Sequence, residues 1–291
     1  MPNLKEIRNR IASVGSTMQI TSAMKMVSAA KLKRAQDAIT QMRPYATKIK
    51  EILGNLSATL DLSENVFSEQ REVKKILIVG ITSNRGLCGG FNNNVIKRVS
   101  HLINEEFHGQ NVHLLCLGKK IKDVYKRTPH YFINAALEPL EDIYSDLNFE
   151  RVSRIVDELM RGFTAKEYDK VVVVYNRFVN AASQIIETEQ FLPITPKNQE
   201  NHSATGDYIF EPSKDKIVAD LIPKSLKIQL FKAIRDSFAA EHGARMTAMH
   251  SATDNAKELQ KSLKLSYNKA RQASITNEIL EIVGGAEALN A

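Results

Sequence analysis

Lys5 to Lys33 reads KEIRNRIASVGSTMQITSAMKMVSAAKLK. The apolar positions of this stretch decide the fold. Leu4, Ile7, Ile11, Val14 and Met18 alternate in threes and fours, the seam of a coiled-coil helix. The seam shifts to Ile20, Met24 and Val27, then resumes more weakly through Ala35, Ala38, Met42, Tyr45, Ile49, Ile52 and Leu56. Such a stutter locally changes the supercoil. Asn3 with Glu6 resembles a capping box. One helix is therefore expected from residue 3 to about 58, kinked near Arg43 by Pro44.

Working outward, residues 213–283 read as a second long helix, interrupted or begun near Pro223. Its seam includes Leu230, Ile234, Phe238, Met249, Ala256, Leu259, Leu263, Ala270 and Leu280, and Gly284 with Gly285 signals its end. Helices of roughly 55 and 60 residues would run about 80–90 Å each. No globular core buries such lengths, so they must pair with each other, with another chain, or both.

Between them the pattern changes. Lys74–Ile81, Val112–Gly118 and Lys170–Val179 read as buried strands. His130–Ala135, Gln184–Leu192 and Asp207–Phe210 are further strand candidates. Asn93–Phe107 and Ile143–Phe163 read as helices, and polar Glu189–Gly206 with its two prolines as loop. Strands alternating with helices argue an α/β layer with a largely parallel sheet. The expected organisation is an N-terminal coiled-coil helix (1–60), a central α/β domain (70–210) and a C-terminal coiled-coil helix (213–291).

The 291 residues include 40 Lys and Arg against 33 Asp and Glu, a net charge of +7. With 43% hydrophobic and 25% charged residues, collagen-like and disordered classes are excluded. The charge is uneven: +7 over residues 1–60, −3 over 61–212 and +3 over 213–291. A basic stretch can face nucleic acid, an anionic surface or an acidic protein. Lys31, Lys33, Arg34, Arg43, Lys48 and Lys50 are interleaved by Tyr45 alone, which leaves little base-stacking capacity. Cys88 and Cys116 lack metal or disulfide spacing and read as reduced thiols. No apolar run approaches the ~20 residues of a membrane-spanning helix, and no secretory segment opens the chain. A cytoplasmic protein is expected.

Ser83–Gly90 (SNRGLCGG) lies between a strand and a helix, where glycine-rich turns can cradle phosphate. It matches neither GxGxxG nor GxxxxGK[ST], so Arg85, Gly86, Gly89 and Gly90 read as a tight structural turn. The seven histidines sit in no HExxH or triad context, and Glu105-Glu106 and Glu141-Asp142 are adjacent and splay apart. No catalytic, cofactor or metal site is expected. Met18, Met24, Met26, Met42, Met246 and Met249 put adaptable side chains along the helices. Ile7, Ile11, Ile275, Ile279, Leu280, Ile282 and Val283 keep their far ends apolar. An isolated coil does not need this, so a gripped surface is expected.

Lys5–Lys33, Ser83–Asn92 and Arg245–Ala288, with its ARMTAM, SATDNA and YNKARQASITNEILEIVGGAEA, together resemble the gamma subunit family of F-type ATP synthases over the whole length. The resemblance implies an antiparallel coiled coil of the terminal helices plus a central Rossmann-like α/β domain. It implies a non-catalytic rotor shaft, with no cofactor, that couples proton flow to ATP synthesis or hydrolysis and regulates ATPase activity. The implied partners are the alpha and beta subunits, the epsilon subunit and the c-ring. The implied place is peripheral, on the cytoplasmic face of a bacterial inner membrane, without insertion and without nucleic acid. By position, Met24 and Lys25 match the family's collar, and Arg245, Gln272, Thr276 and Glu278 match residues that touch beta loops or support that collar. A blander expectation is that Arg245 and Glu278 pair within the coil. Asn84 departs from the Asp common in the family, and Gly15 from a longer side chain. The competing readings are a basic coiled-coil nucleic-acid binder and a small α/β nucleotide-binding enzyme with helical arms.

Overall fold

The computed structural model describes residues 4–59, 65–137, 139–194 and 214–290. Helix α1 runs Leu4–Thr59 and helix α5 runs Lys214–Asn290. Both continue through their internal prolines, Pro44 and Pro223. Between them come β1 (Lys75–Ile81), α2 (Phe91–His101), β2 (Asn111–Leu117), α3 (Lys119–Tyr125), α4 (Phe149–Thr164), β3 (Lys170–Phe178) and β4 (Gln184–Leu192). The chain divides into two compact units: Met1–Ser28 with Met246–Ala291, and Ala29–Arg245. The division crosses both long helices.

In the larger unit the sheet order is β2-β1-β3-β4. The first three strands are parallel and β4 runs antiparallel to β3. Strand side chains alternate between two apolar layers. Leu77, Val79, Leu115, Val171, Val173 and Tyr175 face α4 and the first part of α5, where Ile155, Leu159, Phe163, Leu226, Leu230 and Ile234 are buried. Ile76, Ile78, Leu114, Val172 and Val174 face α2 and α3, where Val95, Val99, Ile121 and Tyr125 are buried. Burial on both faces explains why β1 and β3 read as unbroken apolar runs. Gly243 lets α5 lie close to the β3–β4 turn, since a Cβ there would sit 3.1 Å from the Ala181 carbonyl oxygen.

The structure corrects three sequence expectations in this unit. Residues 130–135 form no strand; Tyr131 alone bridges to Leu114, and Asn134 then turns the chain by accepting from the Ala136 and Leu137 amides. The helix expected from Ile143 begins only at Phe149, capped by Asn148, whose Oδ1 accepts from the Arg151 amide at 2.9 Å. The loop expected from Glu189 starts later, because Glu189–Leu192 completes β4 and the Glu189 carboxylate accepts from Tyr175 Oη at 2.9 Å. Residues 207–210 lie outside the described residues.

Gly284 and Gly285 do not end α5, which continues to Asn290. Neither has the positive φ of a left-handed helix cap. A Cβ on either would meet nothing within 4 Å. Gly284→Ala and Gly285→Ala are each expected to slow amide exchange over this last stretch about fivefold, from ~1 kcal/mol of helix propensity. Hydrogen exchange measures it; unchanged rates would show a frayed end.

Candidate functional site

Two groups of residues predicted to matter lie in different compact units. In the two-helix unit, α1 and α5 meet through Arg8 Nη2 donating to Tyr267 Oη at 2.8 Å. Thr253 Oγ1 donates to Thr21 Oγ1 at 2.8 Å. Lys25 Nζ lies 3.3 Å from His250 Nδ1. As residue numbers rise along α1 they fall along α5, so the pair is antiparallel. Ile7, Thr21, Ser28, Met249 and Ala256 are the buried seam. At Gly15 an added Cβ would stand 3.0 Å from Gln260 Nε2, so this glycine allows close packing.

Carried along, this register places Leu4 level with about Arg271. From residue 272 to 290, α5 therefore outruns the described part of α1 by about 28 Å at 1.5 Å per residue. Large apolar side chains described there are uncovered: Ile279 is 54%, Leu280 63% and Ile282 71% exposed. Gln272, Thr276 and Glu278 also lie exposed on this stretch. Thr276 Oγ1 donates to the Gln272 carbonyl, and Glu278 accepts from Ser274 Oγ at 3.3 Å. Met24 and Lys25 are half-buried on α1, beside exposed Met26 and Val27.

In the larger unit Arg245 is buried, with 7% of its surface exposed. Its Nη1 meets Glu241 Oε1 at 2.6 Å. Its Nη2 donates to the Arg85 and Gly86 carbonyls at 3.2 Å each. Its acidic partner is thus Glu241 one helical turn earlier, not the Glu278 that the blander reading named. Burial raises the Glu241 pKa, and the Arg245 guanidinium pulls it back down. Beside them His242 is driven down to about 4, first by burial and then by the Arg245 charge. A charge pair this deep is costly unless fully bonded, and here the turn carbonyls complete the guanidinium's set.

The glycine turn is held from several sides. Asn92 Oδ1 accepts from the Ser83 amide at 2.9 Å. Gly89 takes a left-handed φ of 57°. Asn84 Oδ1 accepts from the Lys119 amide at 2.9 Å and its Nδ2 donates to the Glu141 carbonyl at 2.6 Å. An Asp could make the first bond but not the second, which accounts for the amide at this position. A phosphate cradle needs inward amide donors. Here the carbonyls of Arg85 and Gly86 point at a cation instead. Sequence reading did not single out Glu241 or His250. Their one signal was helical spacing, Glu241 to Arg245 and His250 to Asp254, both i to i+4. Among the described residues no group of His, Cys, Asp or Glu could hold a metal ion.

Comparisons with known proteins agree over the full length. The family described as ATP synthase matches residues 3–289. The chain is 62% identical to the ATP synthase gamma chain of Flavobacterium johnsoniae, across 100% of both chains. It is 60% identical to that of Christiangramia forsetii, again across 100% of both. Among solved structures it resembles a chain of the Euglena gracilis mitochondrial ATP synthase OSCP/F1/c-ring assembly, with a TM-score of 0.66 at 20% identity, covering 98% of this chain and 94% of that one. A chain of the rotor of the same enzyme matches with a TM-score of 0.63. At that identity the likeness shows the fold, long N- and C-terminal helices plus a central α/β sheet. With the sequence matches beside it, the chain belongs to the gamma chain family of bacterial F-type ATP synthases.

Proposed function

We propose that this chain is the non-catalytic central shaft of a proton-driven ATP synthase. The observation that carries the reading is the end of α5, a helix that outruns its coil partner and exposes Ile275, Ile279, Leu280, Ile282 and Val283. Such a stretch fits an apolar bearing formed by alternating alpha and beta subunits. The larger unit then meets the epsilon subunit and the c-ring. Among the described residues no helix is long and apolar enough to cross a membrane. The place proposed for the chain is peripheral, on the cytoplasmic face of the inner membrane. The resemblance to rotor and c-ring assemblies supports these partners. The nucleotide-binding rival gains no support, because the glycine turn offers carbonyls where a nucleotide needs donors.

A rod without threefold symmetry touches each catalytic subunit of its sleeve differently. Each orientation therefore biases each subunit toward a different nucleotide affinity. The bias is a difference in contact free energy, so it is reciprocal: nucleotide binding turns the rod and turning the rod releases nucleotide. Smooth apolar contact at the end of α5 keeps the barrier to turning low. Charged catches supply the orientation dependence, and Lys25 with Met24 on α1, and Gln272, Thr276 and Glu278 on α5, are the proposed contacts. Arg245 acts from inside, by holding the glycine turn. Lys25→Glu is expected to leave assembly intact and to cut proton-driven ATP synthesis in vesicles about five- to tenfold, the scale of ~1–1.4 kcal/mol for a reversed interface charge. Synthesis at the unaltered rate would refute the role of Lys25.

A further inference from the structure

His250 Nδ1 stands 3.3 Å from Lys25 Nζ and also 3.3 Å from Asp254 Oδ2. One nitrogen cannot serve both partners at once. Unprotonated, it accepts from the ammonium; protonated, it donates to the carboxylate. Imidazole is the side chain whose charge ordinarily changes between pH 5 and 8. We propose that His250 is a positioning residue for Lys25, and that a proton on Nδ1 switches Lys25 between two placements. This rests on the reading of Lys25 as a coupling contact.

In the first state the neutral ring holds Lys25 across the coil, with Nε2 carrying the ring proton into solvent. In the second, the imidazolium turns to Asp254 and repels the ammonium beside it. Lys25 then loses its tether on α5. The surroundings leave the exchange to these three groups. Thr21, Ser22 and Ser28 on α1, and Met246, Thr247 and Thr253 on α5, are uncharged at one turn or less from the site. His250 and Asp254 are more than half exposed, so protons exchange freely and the ring needs no opening of the fold. Exposure also limits the size of the effect, since solvent screens such pairs. The consequence is a shaft whose catch is firmer in alkaline than in acid surroundings.

The test uses the whole complex in vesicles and reads protons pumped per ATP hydrolysed between pH 5.5 and 8.5. His250→Asn keeps an acceptor near the place of Nδ1 and cannot titrate. It is expected to match the parent at alkaline pH and to stay about two- to fivefold better coupled at acid pH, the range a surface charge pair commands. His250→Leu, without an acceptor, is expected to show the poorer acid value throughout. Superposable profiles for the parent, His250→Asn and His250→Leu would overturn the switch. Lys25→Gln separates the two levels. If it uncouples while the His250 variants superpose, only the switch fails; if it behaves as the parent, the role of Lys25 fails and the switch falls with it.

Discussion

Arg245→Met is expected to lower the unfolding free energy of the chain by about 3–5 kcal/mol, the cost of leaving a buried charge without its partner. The substitution keeps most of the side-chain volume and removes the charge. It strands Glu241, which is 7% exposed, and releases the Arg85 and Gly86 carbonyls of the glycine turn. The chain has no Trp and 8 Tyr, so tyrosine fluorescence reports its unfolding in urea. The pH dependence carries a sign. Burial raises the Glu241 pKa and Arg245 lowers it, so removing Arg245 raises it further. Over the window between the unfolded and folded values the folded state binds more protons. The variant therefore loses stability as pH rises through that window and recovers as pH falls. Arg245→Met with Glu241→Gln removes both charges and is expected to restore much of the loss. A deficit independent of pH would show that Glu241 is not the group left stranded.

Gly118→Ala is expected to cost about 2–6 kcal/mol, and soluble yield with it. Gly118 has φ 107° and ψ 148°, a region that side chains avoid at about 1–3 kcal/mol. A Cβ there would lie 2.0 Å from the Thr82 carbonyl oxygen. That oxygen cannot withdraw, because the Thr82 amide donates to the Leu117 carbonyl at 2.8 Å and its Oγ1 accepts from the Ile121 amide at 3.1 Å. The clash adds about 1–3 kcal/mol in a packed interior. A urea midpoint equal to that of the parent would refute it.

Much of this architecture was legible because long-range order here follows local pattern. A heptad seam from Leu4 to Leu56 and another from Leu230 to Leu280 leave few alternatives to two long helices, and unbroken apolar runs such as Val171–Tyr175 demand a sheet covered on both faces. The misreadings arose where one side chain outweighs pattern. Asn134 turns a strand-like run and Asn148 delays a helix, each by accepting from nearby amides. Gly284 and Gly285 signal an ending, yet a glycine stops a helix only when it turns left-handed. The site was half legible. Lys25, Gln272, Thr276 and Glu278 could be placed on helix surfaces, but the burial of Arg245 depends on a turn some 160 residues away. Its basic side chain belongs to the interior of the larger unit, where buried Glu241 neutralises it, so the pair leaves the net positive excess of the surface unchanged.

As a central shaft, this chain is expected to turn inside a catalytic hexamer. Cys88 and Cys116 are both buried, so a Val179→Cys variant offers a selectively reactive thiol at an exposed position of the larger unit. With alpha and beta subunits immobilised and a bead on that thiol, ATP is expected to drive continuous rotation in one direction. A bead that stays still while ATP hydrolysis proceeds at the normal rate would contradict the account.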